Sequence, residues 1–323
     1  MSLRIIKGVL LFCALILAVV AVGYFTYVRV PDPEGHYAQN PLLPGEVTQA
    51  SIQPAAVVGR GETRHAPGEV ARSVAAPESD KQILFGDTHV HTTWSFDAFM
   101  FSLPILNASR GALPPAAACD YARFVSQLDF FFLTDHAESY TAQRWRDAQA
   151  AVRHCNAVAG DPENPDLVAF IGFEWSQFGR SPENHYGHHN VLFRDVDSGQ
   201  LPARPIGAAG PASDALRGSE PGGVGLGMLR WLDVENRSYY KALASFMQEL
   251  QAEPNCPSGV KSPQLPTDCY ESATTPGELY RKLDEWGFDT LVVPHGSSWG
   301  IYTPPGASWD HQLTAANHDP DKG

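Results

Sequence analysis

Three ionisable side chains stand at alternate positions in the stretch 83–98, "ILFGDTHVHTTWSFDA". They are Asp87, His89 and His91, and an apolar run leads into them. Side chains two positions apart on a strand point to the same face, so the two histidines could bind one metal ion or two adjacent ions. Neutral imidazole suits zinc, iron and manganese, and such ions activate water for hydrolysis. A histidine pair alone is a weak signal, because such pairs also lie on solvated strand edges.

Further ionisable residues stand at the ends of four other apolar, strand-like runs. They are Asp135 and His136 after "FFFLT", Glu174 in "FIGFEW", His295 in "TLVVPHG", and His185, His188 and His189 just before "NVLF". Because active sites of parallel α/β folds form where the carboxyl ends of strands meet, these side chains should converge. Each has an ordinary structural reading when taken alone, as a helix cap, a salt-bridge partner or a solvated histidine. Together they predict a metal site, since burying so many ionisable groups without a metal is costly.

The elements that must position these residues alternate along the chain. Continuous apolar runs predict five strands, in "QILFGD", "LDFFFLTDH", "LVAFIGFEW", "HHNVLFRD" and "FDTLVVPHG". Amphipathic stretches between them predict helices, in "PAAACDYARFVSQL", "TAQRWRDAQAAVRHCNAVAG", "SYYKALASFMQELQ" and "PGELYRKLDEWG". The pattern indicates an α/β domain with a buried parallel sheet. A closed α/β barrel needs more than five strands, so either the sheet is open or the chain is a fragment of a longer protein.

The N-terminal segment carries the membrane signal. Residues 8–28 are uncharged and almost all apolar, and Arg4 and Lys7 precede them, which predicts a transmembrane helix with the remainder exported. A cleaved signal peptide is the alternative. We therefore expect an anchor or signal segment at 1–30, a Pro-, Gly- and Ala-rich linker at 31–80, and a catalytic domain at 81–323. The domain would lie in the periplasm or outside the cell, attached to the inner membrane or secreted.

Charge and cysteine content restrict the partners and the compartment. The net charge of −13 argues against nucleic-acid binding, although a bound metal could still attract an anionic small molecule. Four cysteines lie in the exported part, where disulfides persist. Cys256 and Cys269 flank a short Pro-rich loop and could pair; four free thiols are the alternative.

The substrate-binding residues are less clear from the sequence. Trp94, Trp175 and Trp299 each follow a ligand candidate closely and could either wall a pocket for an organic group or pack at its rim. Arg180 and Arg194 flank the ligand segments and could hold an anionic substrate. The Gly- and Pro-rich stretch 195–235 reads as an insertion or lid that would carry specificity.

The motif set "DTHVHTTWSFDA", "LTDHAE", "FIGFEW", "HHNVLF" and "VVPHG" resembles the PHP family, the polymerase-and-histidinol-phosphatase metal-dependent hydrolases, and in wording an uncharacterised bacterial branch of it. The resemblance implies a distorted (βα)7 barrel with up to three metal ions at the carboxyl end of its strands. The family closes its site with a late Asp-x-His motif, and none follows His295 here. We therefore expect a truncated chain, with a barrel incomplete at its C-terminus and an incomplete metal site.

The resemblance also implies roles for individual residues. It implies two or three divalent ions, Zn, Mn or Fe, held by His89, His91, His136, Glu174, His188, His189 and His295. Asp97 stands where some members place a further ligand, and Asp135 is a ligand or an orienting group. We expect these two carboxylates to orient the attacking water or carry a proton.

The expected function is that of a metal-dependent hydrolase, a phosphoesterase in particular, in which a metal-bound hydroxide at a di- or trinuclear site attacks the substrate. The partners would be a small-molecule substrate and, through the N-terminal helix, the membrane, with no nucleic acid. Two alternatives stay open: a metal-stabilised binding module without turnover, and a hydrolase of non-phosphate bonds such as amides.

Overall fold

The computed structural model describes residues 3–23, 41–49, 84–105, 112–218, 224–296, 303–311 and 314–322. Within these residues the α-helices are α1 (Leu3–Gly23), α2 (Phe96–Phe101), α3 (Pro115–Asp120), α4 (Ala142–Ala157), α5 (Pro211–Gly218), α6 (Val224–Leu232), α7 (Arg237–Ala252) and α8 (Pro276–Trp286). A π-helical turn, Tyr121–Ser126, continues directly from α3. The strands are β1 (Gly86–Val90), β2 (Phe130–Leu133), β3 (Val168–Gln177), β4 (Gly187–Phe193), β5 (Ile206–Ala208), β6 (Glu271–Ala273) and β7 (Thr290–His295).

Five strands form the main sheet, in the order β1-β2-β3-β4-β7, and β5 and β6 form a small parallel pair. Strands β1, β2 and β3 run parallel, whereas β4 runs antiparallel to both of its neighbours. The sheet is curled, as shown by β1 and β4, which contact each other although two strands separate them in the strand order. The Asn190 side-chain amide on β4 donates a hydrogen bond of 3.1 Å to the Thr88 carbonyl oxygen on β1. The result is a half-barrel with a concave face.

The predicted (βα)7 barrel is wrong for the part of the chain described here, which holds a mixed α/β fold with a curled five-stranded half-barrel. The departure from the barrel pattern begins after β3. Only residues 178–186 connect β3 to β4, with a single 3-10 turn, Pro182–Asn184, among them. A parallel return needs a crossover of a dozen or more residues, so this short connection brings β4 back antiparallel.

The predicted transmembrane helix is not found either. Among the residues that the structure describes, no helix is both long and apolar enough to cross a membrane.

Helix ends follow local sequence signals. Thr141 and Thr275 precede α4 and α8, and their hydroxyl oxygens accept hydrogen bonds from the backbone N–H groups of Arg144 and Glu278. Helix α8 starts with Pro276, and Gly287 ends it in the left-handed conformation that glycine adopts most easily.

Two disulfides link elements around the core. The bond between Cys256 and Cys269 confirms the pairing expected from the sequence. A second bond joins Cys119 of α3 to Cys155 of α4, a pairing that spacing alone left open. Aromatic side chains from α4, β3 and β4 pack together in the core, where Trp145, Phe173 and Phe193 are fully buried.

A short piece of the predicted 31–80 linker packs against the domain. In residues 41–49, Val47 is buried in the core, and the Pro44 carbonyl oxygen accepts a hydrogen bond of 2.8 Å from the Ala116 backbone N–H. The Leu42 carbonyl oxygen accepts another of 2.8 Å from the Arg144 guanidinium. The folded unit therefore includes residues ahead of position 81, while positions 24–40 and 50–83 lie outside the described residues.

Candidate metal centre

Glu174 of β3 is the centre of the site, and its side chain is 1% exposed. One carboxylate oxygen contacts two histidine nitrogens, His188 Nδ1 and His295 Nε2, the latter at 3.0 Å. The other oxygen lies near three more: His91 Nε2 at 2.8 Å, His89 Nε2 at 3.2 Å and His136 Nδ1 at 3.4 Å. Five imidazoles therefore converge on one buried carboxylate.

Three strand ends and one strand start deliver these rings to the same edge of the sheet. His89 and His91 come from the end of β1, and their Nε2 atoms are 2.7 Å apart. His188 lies opposite His295 in the register of β4 and β7. Because β4 is antiparallel, its first residues lie at the edge where β1 to β3 end. These residues lie close together, as the sequence predicts, although the sheet that carries them differs from the expected one.

Overlapping groups of ligand atoms could each hold a metal ion, and the ligand atoms in each group lie within 4.8 Å of one another. The groups are His89, His91 and Glu174; His91, Asp97 and His136; and His136, Glu174 and His188. Imidazole nitrogen and carboxylate oxygen are donors that suit first-row divalent ions. The donor set and its convergence on a buried carboxylate therefore fit a metal centre, without identifying the metal.

The charges of the centre are strongly coupled. Burial alone would raise the pKa of Glu174, but His136 and hydrogen bonds from His188 and His295 hold it well below its usual range. Burial opposes the charged form of His136, yet the Glu174 and Asp97 carboxylates raise its pKa to about 10. Burial works against the ionised form of Asp97 as well, and the neighbouring His136 lowers its pKa to about 2. Positive charge on His136, between the two carboxylates, favours their ionised forms, and a divalent cation at the same place would favour them in the same way.

A shell of hydroxyls orients the rings, and sequence reasoning did not single it out. Ser95 Oγ lies 2.6 Å from His91 Nδ1 and accepts a hydrogen bond of 2.9 Å from the His136 backbone N–H. Ser176 Oγ lies 2.7 Å from His136 Nδ1 and 3.2 Å from His188 Nδ1. Ser176 stands two positions after Glu174 on β3, so strand alternation could have found it.

Glu138 is a second group that the sequence reading passed over, although it stands two residues after His136. Its side chain is buried, and one oxygen accepts hydrogen bonds from the backbone N–H groups of Ser176 and Ala208. Its other oxygen lies 3.9 Å from His136 Nδ1. Burial raises the pKa of Glu138 to about 7. Glu138 therefore connects the small β5–β6 sheet to the metal centre.

Asp135 and His189, two of the predicted site residues, lie outside the three ligand groups. The Asp135 carboxylate accepts hydrogen bonds from the Thr92 backbone N–H at 2.6 Å, the Thr92 hydroxyl at 2.8 Å and the Tyr140 hydroxyl at 3.1 Å. His189 follows His188 on β4 and so points to the opposite face. There its ring packs against Trp175, with the ring centroids 5.2 Å apart. Neither residue is brought to the metal centre.

The tryptophans and Arg194, which the sequence offers for substrate binding, lie in the core, at the exposed surface or outside the described residues. Trp94 and Trp175 are fully buried in the core, and Trp299 lies outside the described residues. Arg194 is exposed and pairs with Asp195 at 3.1 Å and with Asp289 at 2.6 Å.

Comparison with known families and structures gives one partial match. Residues 78–159 match a family described as a protein of unknown function (DUF3604). The matched segment spans β1 to α4 and contains His89, His91, Asp97 and His136, but Glu174 lies beyond it. No curated protein matches the chain, and no solved structure matches it.

Proposed function

We propose that this protein is a metal-dependent hydrolase, and in particular a phosphoesterase, related to the PHP hydrolases that its motifs resemble. The observation that carries the proposal is the convergence of five histidines on the buried Glu174. The three ligand groups share His91, His136 and Glu174 among them, an arrangement that favours two or three adjacent Zn, Mn or Fe ions over one.

When bound, such ions would lower the pKa of a coordinated water and polarise the attacked phosphoryl group. The protein's own side chains supply the rest. Glu174 fixes the spacing of the histidines from both edges of the sheet, and the Ser95 and Ser176 hydroxyls fix ring orientation. The Asp97 side chain is 46% exposed and its Oδ2 lies 3.2 Å from His136 Nε2. With its pKa lowered to about 2, this carboxylate stays ionised and can accept a hydrogen bond from the attacking water or from the substrate.

The substrate in this proposal is a small molecule outside the cytoplasm. Two disulfides support an oxidising compartment, the periplasm or the cell exterior. The net charge of −13 disfavours nucleic acid as the substrate.

Metal content and ester hydrolysis of the purified protein test the proposal. We expect protein reconstituted with Mn, Zn or Fe(II) to hold at least two ions by elemental analysis and to hydrolyse phosphomonoesters. Glu174→Gln keeps the shape but removes the charge at the centre. It should lower metal affinity and turnover by about 100-fold or more, because orienting groups around ligands already contribute 10–100-fold.

Glu163→Gln is the matched control, because Glu163 is exposed on the loop after α4. It should keep the wild-type metal content and turnover. Absence of stoichiometric metal after reconstitution would overturn the proposal, and bound metal without hydrolysis of any ester would favour a binding module instead.

A further inference from the structure

An open cavity of about 420 Å³ adjoins the metal centre on the side of β1. His89 and His91 are among the residues that line it. The other lining residues come from α2 and the residue after it, from α3 and the residues just before it, from the π-helical turn, and from β2 with Leu128 ahead of it. The volume falls within the range of roughly 300–1,000 Å³ typical of small-molecule sites.

The walls of this cavity are mostly apolar, and several are small. Ala98, Ala117, Ala118 and Ala122 line it with short side chains, and Phe131 lines it with an aromatic ring. Among the described residues that line it, none is a lysine or an arginine, and Asp87 brings a carboxylate, which accepts a hydrogen bond from the His89 backbone N–H. An anionic group would gain nothing from these walls, whereas an apolar group would be removed from water there.

The wall formed by the chain after α3 is firmly held. The cavity is lined by Tyr121 and Ala122 of the π-helical turn Tyr121–Ser126, a rare conformation that is frequent at functional sites. Arg123, on the buried side of this turn, bonds the Asp166 carboxylate at 3.0 Å and the Cys155 carbonyl oxygen at 2.9 Å. The disulfide from Cys119 to Cys155 ties the preceding helix to α4. Contacts within the protein therefore hold this wall of the cavity in place.

We propose that this cavity binds the apolar, aromatic-sized organic group of the substrate, whose phosphoryl group lies at the metal ligands. This assignment rests on the proposed hydrolase function of the same site. It makes the preferred substrates monoesters of bulky aryl alcohols, as opposed to sugar phosphates or other polar esters.

Binding of two non-hydrolysable phosphonates to the metal-loaded protein tests the assignment by calorimetry. We expect 1-naphthylphosphonate to bind about tenfold or more tightly than methylphosphonate, since apolar pockets discriminate at this level for small changes in size. Ala118→Leu and Ala117→Leu fill the cavity and should remove most of that ratio while leaving methylphosphonate affinity unchanged. Ala150→Leu, the same change at an exposed position of α4, should alter neither affinity.

Tyr121→Ala provides a second variant of the wall, at a residue that is largely exposed and so tolerates truncation. It should also weaken naphthylphosphonate selectively. Equal affinities for the two phosphonates, no binding of either, or a ratio kept in all three cavity variants would overturn the assignment.

The outcome for the cavity is separable from that for the reaction. Selective naphthylphosphonate binding without hydrolysis of 1-naphthyl phosphate would retain the cavity and reject the hydrolase. Hydrolysis of methyl phosphate and naphthyl phosphate with equal kcat/KM would retain the hydrolase and reject the cavity assignment.

Discussion

Glu174 shows how a single residue can organise a site. A carboxylate at 1% exposure is costly unless it is paired and hydrogen-bonded. Its two oxygens meet imidazoles from β1, β4 and β7 and from the end of β2, so one side chain ties together four strands. The sequence predicts Glu174 at the end of a buried strand, whereas β3 continues to Gln177, and it does not predict how the histidines divide between the two carboxylate oxygens.

His189 is the opposite case, a histidine whose position excludes it from the site. Its ring lies between Trp175 and Tyr280, and neither nitrogen has a hydrogen-bond partner among the described residues. Burial lowers its pKa from 6.5 to about 3. Between these two values the unfolded chain binds the proton and the folded chain does not, so stability falls as the pH falls from 6.5 towards 3.

His189→Phe should remove this acid sensitivity while keeping a ring in the same space. One such group contributes up to about 1.4 kcal/mol per pH unit, so wild type should lose about 2 kcal/mol more than the variant between pH 6.5 and 5. Urea unfolding at both pH values measures the difference. His154→Phe, at an exposed position of α4, should keep the wild-type slope. An unchanged slope in His189→Phe would contradict the burial argument.

At the scale of elements, hydrophobic periodicity predicts where most strands and helices lie. The length of the β3–β4 connection decides the direction of β4. Four of the main-sheet strands and four of the helices coincide with stretches that the sequence marks by apolar runs and caps, whereas β1 overlaps the predicted strand "QILFGD" only at Gly86 and Asp87. An apolar run does not specify strand direction, so the sequence pattern predicts β4 as part of a parallel sheet. Its antiparallel course follows from the nine residues between Gln177 and Gly187. The same course explains why His188 reaches the site from the start of its strand.

Asp135 joins the end of β2 to the end of β1, because its carboxylate holds Thr92, the residue after His91. Asp135→Asn should lower the free energy of unfolding by about 1–3 kcal/mol, since three hydrogen bonds to a carboxylate are replaced by bonds to a neutral amide, and the Thr92 and Tyr140 hydroxyls must turn from donors into acceptors. The variant should also bind metal more weakly, as His91 loses its support. Urea unfolding and metal titration measure both effects.

Asp268→Asn is a suitable control, because Asp268 is 72% exposed and pairs only at the surface with Arg146 among the described residues. It should change stability by less than about 1 kcal/mol. If Asp135→Asn kept its stability but lost turnover with an altered pH profile, Asp135 would be catalytic, as the sequence suggested.

At the scale of the whole molecule, the sheet holds its ionisable groups at one edge of a half-barrel. The (βα)7 barrel is implied by the resemblance of short motifs to the PHP family. Such motifs specify the ligand positions, but they do not specify whether the sheet closes. Closure depends on strand number, tilt and direction around the whole sheet, none of which a five-residue motif encodes. The sequence does not predict the cavity beside β1 for a similar reason: its alanines lie on α2, ahead of and on α3, and on the π-helical turn, and no periodicity marks them as one surface.

Metal removal should destabilise the whole domain, because the proposed ions would bind the folded chain and bridge strands that meet only on folding. An ion present at 100 times its Kd stabilises by about 2.7 kcal/mol, or about 5–10 °C in Tm for a domain of this size. The gain should be larger at pH 8 than at pH 5.5, because histidine ligands must lose protons to bind metal. Calorimetry with and without a chelator measures it, and Glu174→Gln should show little shift. An equal shift in that variant, or none in wild type, would mean that the histidine cluster does not hold the ions.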